Sequence, residues 1–448
     1  MFKRIALNDL QQWKEDEYRK PLVIRGARQV GKSTLVRLFA KSFDHYFELN
    51  VEKPEIQRLF QEHTDVEVFL QALYFRYNRS EPKGSILLFI DEIQESPEAI
   101  RLLRYFYEDV QSIHVIAAGS LLDFSLSDVR SFPVGRVSYY YLHPLNFEEF
   151  LDWKGEAAAL EMLRKIPAPD FAHQKFMSLF HEYTMVGGMP EIVARYVENG
   201  TLLGFDHLYD DLWQAYIDDV EKYTTTRNQK VILRHVIRTA PLEQDRITFA
   251  GFGRSNYRSR DVGEALRNLE LARVLQLVYP TVRTQPPIVS DLKKRPRLQF
   301  IDTGLLNHSL QIHPQFIGLD DLHSFYRGFI LQHILTQELI AKHTHTNYKA
   351  NFWVREKSNA NAEVDLVFNF QGEVIPIEIK SGKQGRLRSL HQFVERSSHK
   401  IAVRFLRNTF SVEQGQTVGG TSYQLINIPY YAMSQLKEYL LKIQNRIK

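Results

Sequence analysis

Short apolar runs alternate with helically spaced stretches over the first 150 residues. PLVIR (21–25), HYFELN (45–50), SILLFI (85–90) and HVIAAGS (114–120) read as strands, with helices expected from Gly31, near residues 53–75 and from Pro97. Apolar strands separated by helices predict a parallel sheet wound with helices. From Phe147 to about Lys222 the apolar spacing becomes helical, and the aromatics of LYDDLWQAYIDDVEKY recur on one face. This part reads as a helical domain whose aromatics fill a core.

Residues 224–290 carry VILRHVIRTA, the Gly- and Ser-rich FAGFGRSNYRSR, then DVGEALRNLELARVLQLV and an extended segment ending in QPP. Helix, turn, helix and ribbon suggest a winged helix. After the basic connector DLKKRPR come the helix GFILQHILTQELIAKH and the strands NFWVRE, EVDLVFNF and EVIPIEIK. A separate α/β domain is expected there. The expected organisation is multidomain α/β: a wound parallel-sheet core over 1–150, a helical part over 151–223, a winged-helix-like part over 224–290 and an α/β domain over 291–448. No internal repeat or low-complexity tract interrupts it.

Composition narrows the class. The 448 residues are 44% hydrophobic and 25% charged, as in ordinary globular proteins, which excludes a mostly disordered or collagen-like chain. A net charge of +4 is too small to argue for nucleic acid globally, so partners must be argued from local segments. Zero cysteines exclude disulfides, thiolate zinc sites and a cysteine nucleophile, and fit a reducing compartment. The N-terminal MFKRIALNDLQQWKEDEYRK lacks the apolar core of a secretory signal, and no run of about 18 apolar residues spans a membrane. A cytoplasmic location is the default expectation.

GARQVGKST (Gly26, Ala27, Arg28, Gln29, Val30, Gly31, Lys32, Ser33, Thr34) matches G-x-x-x-x-G-K-[ST] between an apolar strand and an amphipathic helix. Its glycines let successive backbone N–H groups point at phosphate oxygens, at a helix N-terminus that favours anions. Lys32 would reach the β and γ phosphates of ATP, and Ser33 would hold Mg²⁺; the bland alternative is a Gly-rich turn before a helix. SILLFIDEIQ then ends an apolar strand in two carboxylates. Asp91 would bind Mg²⁺ through water, and Glu92 would polarise the attacking water as general base.

The order GARQVGKST, LLFIDEIQ, IAAGS, GRVSYYYLHPLNFEEF and MVGGMPEIV resembles a family of bacterial and archaeal AAA-type ATPases of the STAND-like branch. In that family a domain of unknown function follows, with a winged helix and a restriction-endonuclease-like end, and FIDTGLLN and AEVDLVF…IPIEIKSGK resemble it. The resemblance implies that Ser120 senses the γ phosphate and that Pro190 of GGMP lies where the helical lid approaches the base. Arg136 of PVGR would complete γ-phosphate recognition or act as an arginine finger, within one chain or across a homo-oligomer. A strand-end hydroxyl, an ordinary turn and a solvated arginine are the competing readings of these three.

In the last domain, period two puts Glu378 and Lys380 on one face of a strand, able to converge with Asp365 of its neighbour across a turn near Gly372. Such a charged row in buried strands needs a metal or ion pairs to satisfy it. It is the chemistry of a D…E-x-K nuclease centre with a second metal site at Asp365, Glu378 and Lys380, and Glu363 is close enough to join. The related pattern takes a glutamate from the first helix, where this chain has Gln332, and Glu338 lies six residues on, off that face. An active nuclease, a docking role for nucleic acid or protein, and a structural ion-pair cluster all remain open. Arg227, Lys230, Arg234, Arg238, Arg246, Arg254, Arg258 and Arg260, with Lys383, Arg386 and Arg388 later, can grip DNA or serve as solvated faces. The functional expectation is an ATPase switch coupled to this C-terminal module, the alternatives being a DNA-binding or DNA-cleaving effector gated by nucleotide and a protein-interaction adaptor with slow ATP turnover.

Overall fold

The computed structural model describes residues 3–119, 133–222, 224, 226–312, 328–357, 360–381 and 387–447. The chain forms two compact units: one holds Met1–His143, Leu271–Arg273 and His343–Asn347, the other Pro144–Glu270, Val274–Lys342 and Tyr348–Lys448. Among the described residues no helix is long and apolar enough to cross a membrane.

The first unit runs α1 (Ala6–Glu15), β1 (Leu22–Arg25), α2 (Lys32–Phe39), β2 (His45–Asn50), α3 (Pro54–Glu62), α4 (Val66–Arg76), β3 (Ile86–Asp91), α5 (Pro97–Glu108), β4 (Ile113–Gly119) and β5 (Ser138–Tyr141). Its five strands lie in the order β2-β3-β4-β1-β5, and every pair is parallel. β1, β3 and β4 are buried at every position, which is why their sequences are apolar runs without alternation. Phe47, Leu88, Ile90 and Ala117 of the sheet pack with Phe60, Phe69, Leu103 and Phe106 of the helices. Burying each larger side chain contributes about 1.5–3 kcal/mol relative to exposure. Asp65 caps α4 through the Glu67 and Val68 amides, and Ser96 caps α5 through that of Ala99, just before a proline that suits a first turn. β5 was not among the expected strands; SYYY is half buried at its start and pairs with β1 at the sheet edge.

The second unit opens with helices: α6 (Phe147–Trp153), α7 (Ala157–Leu163), α8 (His173–Val186), α9 (Pro190–Asn199), α10 (Asp206–Glu221), α11 (Arg227–Thr239) and α12 (Ser259–Leu271). Next come β6 (Leu275–Val278), β7 (Pro280–Thr281), β8 (Arg297–Phe300), α13 (Thr303–Ser309), α14 (Phe329–Ala341), β9 (Asn351–Lys357), β10 (Ala360–Phe370) and β11 (Glu373–Ile379). α15 (Arg388–Val394), β12 (Ile401–Leu406), β13 (Ser411–Gln416), β14 (Ser422–Pro429) and α16 (Leu436–Ile447) complete it. β6 and β8 form an antiparallel ribbon, so the ribbon that follows the two helices crosses residue 290. The large sheet has the order β13-β14-β12-β11-β10-β9-β7, with an antiparallel β9-β10-β11 meander and β12 parallel to β11. Gln371 (φ 50) and Gly372 (φ 83) turn β10 into β11 through the left-handed backbone that a two-residue hairpin requires.

One knot in this unit joins three separated segments. The Gly188 N–H donates to Asp302 Oδ2 at 2.6 Å, and the Leu145 N–H donates to the Gly188 carbonyl at 2.7 Å. A Cβ on Gly188 would meet the Leu145 carbonyl oxygen at 2.1 Å, so the backbones approach too closely for any side chain. Asp302 also caps α13 through the Leu305 N–H at 3.0 Å. This ties the turn after α8 both to the segment before α6 and to the segment before α13.

Candidate functional site

In the first unit β1 delivers the chain to Gly26, where a Cβ would collide with the Leu142 carbonyl oxygen at 2.5 Å. Gln29 (φ 63) and Gly31 (φ 93) are left-handed, and this curl turns the backbone into the first turn of α2. Ala27 and Val30 are buried, Arg28 is half buried, and Gln29 and Thr34 are exposed. Arg4 braces the loop from outside, donating to the Val30 carbonyl at 2.9 Å and the His143 carbonyl at 2.7 Å. Sequence spacing gave no signal for Arg4, because it lies in a separate stretch before α1.

The loop's own groups are ordered around one centre. Lys32 is buried, and its ammonium donates to the Gly26 and Ala27 carbonyls at 3.0 and 2.9 Å. Ser33 Oγ donates to Asp91 Oδ2 at 2.7 Å, joining the start of α2 to the end of β3. Burial pushes the Asp91 carboxyl above its ordinary range, opposed by the Ser33 hydrogen bond. A buried carboxylate with a hydroxyl partner, beside a cation held on carbonyls, fits the donor set needed for a polyphosphate and its metal.

Glu92 follows in left-handed backbone, φ 53 and ψ 44, and its N–H donates to Asp91 Oδ1 at 3.1 Å. That conformation is uncommon outside glycine and Asn, and strain of this kind gathers at functional positions. Gln94 Nε2 holds Glu92 Oε2 at 2.6 Å, a partner that sequence reading passed over although it lies two residues on in DEIQ. Arg136 donates to Glu108 Oε1 at 3.0 Å and to the Val134 carbonyl at 3.2 Å, so its described bonds tie it to α5 and its own turn. Ser120 lies outside the described residues. Pro190 is the first residue of α9 in the second unit.

The second unit brings Asp365, Glu378 and Lys380 together. Asp365 Oδ2 accepts from the Ile379 N–H at 2.8 Å, and Lys380 Nζ donates to Glu378 Oε1 at 2.5 Å. The β9–β10 register shifts between Val364 and Val367, an irregularity that spans Asp365. Burial pushes both carboxyls upward, Glu378 to about 7. Gln332 of α14 reaches the Asp365 carbonyl at 3.3 Å. Glu338 points elsewhere, accepting from the Phe147 N–H at 3.0 Å and the Tyr183 hydroxyl at 2.8 Å, as six residues of helical rotation require. Arg297 of β8, absent from the sequence-derived set, pairs with Glu363 and reaches the Asp365 carbonyl at 3.4 Å.

Residues 18–151 match the family described as an AAA domain, while 177–315 and 327–431 each match a domain of unknown function. The segment that matches the AAA domain contains the parallel five-stranded sheet of the first unit. Among solved structures the chain is similar to a Walker-type ATPase of Pyrococcus abyssi, at 14% identity and TM-score 0.45, covering 69% of this chain and 96% of that one. It is also similar to the Aeropyrum pernix ORC1 protein in complex with DNA (14% identity, TM-score 0.29, 69% and 91% covered). A third similar structure is the Thermotoga maritima RuvB Holliday junction branch migration motor (16%, 0.28, 65% and 93%). No curated protein matches the chain.

Proposed function

We propose that the protein is an ATP-hydrolysing molecular switch whose nucleotide turnover governs the state of its second unit. The observation that carries this reading is the pre-ordered loop, with Lys32 on the Gly26 and Ala27 carbonyls and Ser33 on Asp91. Phosphate oxygens would take over the Lys32 ammonium and the loop amides from Gly26 to Thr34, so binding exchanges internal hydrogen bonds for charge-assisted ones. Ser33 and Asp91 would hold Mg²⁺, which when bound supplies neutralisation of phosphate charge. Glu92 would accept a proton from the attacking water, with Gln94 fixing the carboxylate so that its second oxygen faces that water. Ser120, Arg136 and Pro190 remain proposed contributors to phosphate and base recognition on the strength of the family resemblance. Steady-state ATP hydrolysis by the full chain tests the reading: loss of turnover in both Lys32→Ala and Glu92→Gln supports it, and unchanged turnover in Glu92→Gln removes the general base.

A second reading, in which nucleotide gates a DNA-binding effector, is favoured by one feature of α11. Arg227, Lys230, Arg234 and Arg238 recur at helical spacing, and all are exposed. Arg234 is already tied to Glu221, at 2.9 Å through Nη2. Helices α11 and α12 followed by the β6–β8 ribbon support a winged-helix-like part, and the succession α14-β9-β10-β11-α15-β12 supports a nuclease-like fold. Salt-dependent retention of duplex DNA, weakened when Arg227, Lys230 and Arg238 are changed to alanine together, is the outcome this reading expects.

A further inference from the structure

A half-buried and a buried carboxylate, Asp365 and Glu378, beside a lysine invite a divalent ion, and their neighbours decide whether one fits. Mg²⁺ demands about six oxygens in near-octahedral array and keeps few partners other than carboxylates, phosphates and water. Here the helix offers the neutral Gln332, already engaged with the Asp365 carbonyl. Among the described residues no three His, Asp or Glu side chains converge as metal ligands.

A cation is instead built into the cluster. The Arg297 guanidinium lies 4.4 Å from the centre of the buried Phe352 ring, reaches the Asp365 carbonyl at 3.4 Å and pairs with Glu363. Its charge acts on both Asp365 and Glu378, lowering their proton affinity against the opposing effect of burial. Lys380 sits on Glu378, Arg246 lies 3.7 Å from Glu363, and Asp245 also acts on Arg297. Glu378 Oε2 is buried without a hydrogen-bond partner, and the charges of Lys380 and Arg297 both act on this carboxylate.

We propose that Arg297 is the resident counter-cation of the Asp365–Glu378–Lys380 cluster and excludes the divalent ion that a nuclease-like centre would hold. The guanidinium occupies the electrostatic role of the metal: it is fixed in place by an aromatic face and a carboxylate, whereas a divalent ion would have to displace it or share the cluster with two other cations. The cluster then neutralises itself and holds β8, β10 and β11 together without metal. The inference rests on the second unit alone, so it stands or falls separately from the ATPase reading.

Mn²⁺ titration of the full chain without nucleotide tests it, each protein being compared with its Asp365→Asn counterpart so that uptake at Ser33 and Asp91 cancels. Wild type is expected to show no Asp365-dependent uptake, while Arg297→Gln gains an Asp365-dependent site at least about tenfold tighter than any in wild type. Asp365-dependent Mn²⁺ uptake by wild type overturns the proposal, as does a folded Arg297→Gln that takes up none. If Arg297→Gln fails to fold, Arg297→Gln combined with Glu363→Gln removes the cation and its partner together and is read by the same criteria.

Discussion

Lys32 ends on two carbonyls of its own loop, and in the proposed function it is the group that a polyphosphate recruits. Lys32→Ala is expected to weaken ATP binding at least about 100-fold, read by titration calorimetry, because the amides lose the only ammonium the loop directs inward. Glu92→Gln should keep affinity and lower turnover by about 100-fold or more. Gln94→Ala should lower turnover by a smaller factor, on the order of tenfold, since Glu92 keeps its charge and loses only its brace. Most of the loop's conformation was legible in sequence: two glycines, a lysine and a hydroxyl at fixed spacing report the backbone curl into α2. Gln94, Arg4 and Arg297 were not, because each acquires its role from a hydrogen bond that depends on folded geometry rather than on a motif.

At the scale of elements, the turn between α8 and α9 depends on backbone proximity. Gly188→Ala should destabilise the second unit by several kcal/mol, on the order of 3, because the added Cβ meets the Leu145 carbonyl oxygen at 2.1 Å. Chemical denaturation checks this; an unchanged midpoint would show that the turn can shift at no cost. Asp302→Ala should also destabilise, leaving the Gly188 and Leu305 N–H groups without their acceptor. The wound parallel core was readable because strands buried on both faces are apolar throughout. β5 was not, since its three tyrosines have neither an apolar run nor clean alternation and the strand is defined by pairing with β1. The ribbon across residue 290 escaped for a similar reason: β8 follows a basic connector, and only its partner β6 makes it a strand.

Across the whole molecule, buried acids set a pH dependence. Burial raises Asp302 to about 6 and Glu338 to about 7, both above ordinary carboxyl values. The folded protein therefore holds protons that the unfolded chain releases. This contribution to stability is full below the unfolded values near pH 4 and is lost as pH rises through about 6 for Asp302 and about 7 for Glu338. Glu338→Gln should flatten the upper part of that decline and stabilise the protein at pH 8 by about 3 kcal/mol at most, seen in denaturation midpoints at pH 5 and pH 8. The central claim is that the loop from Gly26 to Thr34, with Asp91, captures a magnesium nucleotide. Calorimetric titration of the full chain with ATP and Mg²⁺ tests it most directly: the account predicts saturable one-site binding that Lys32→Ala weakens by at least about 100-fold, and well-folded wild type giving no binding heat, or binding equally well without Lys32, would contradict it.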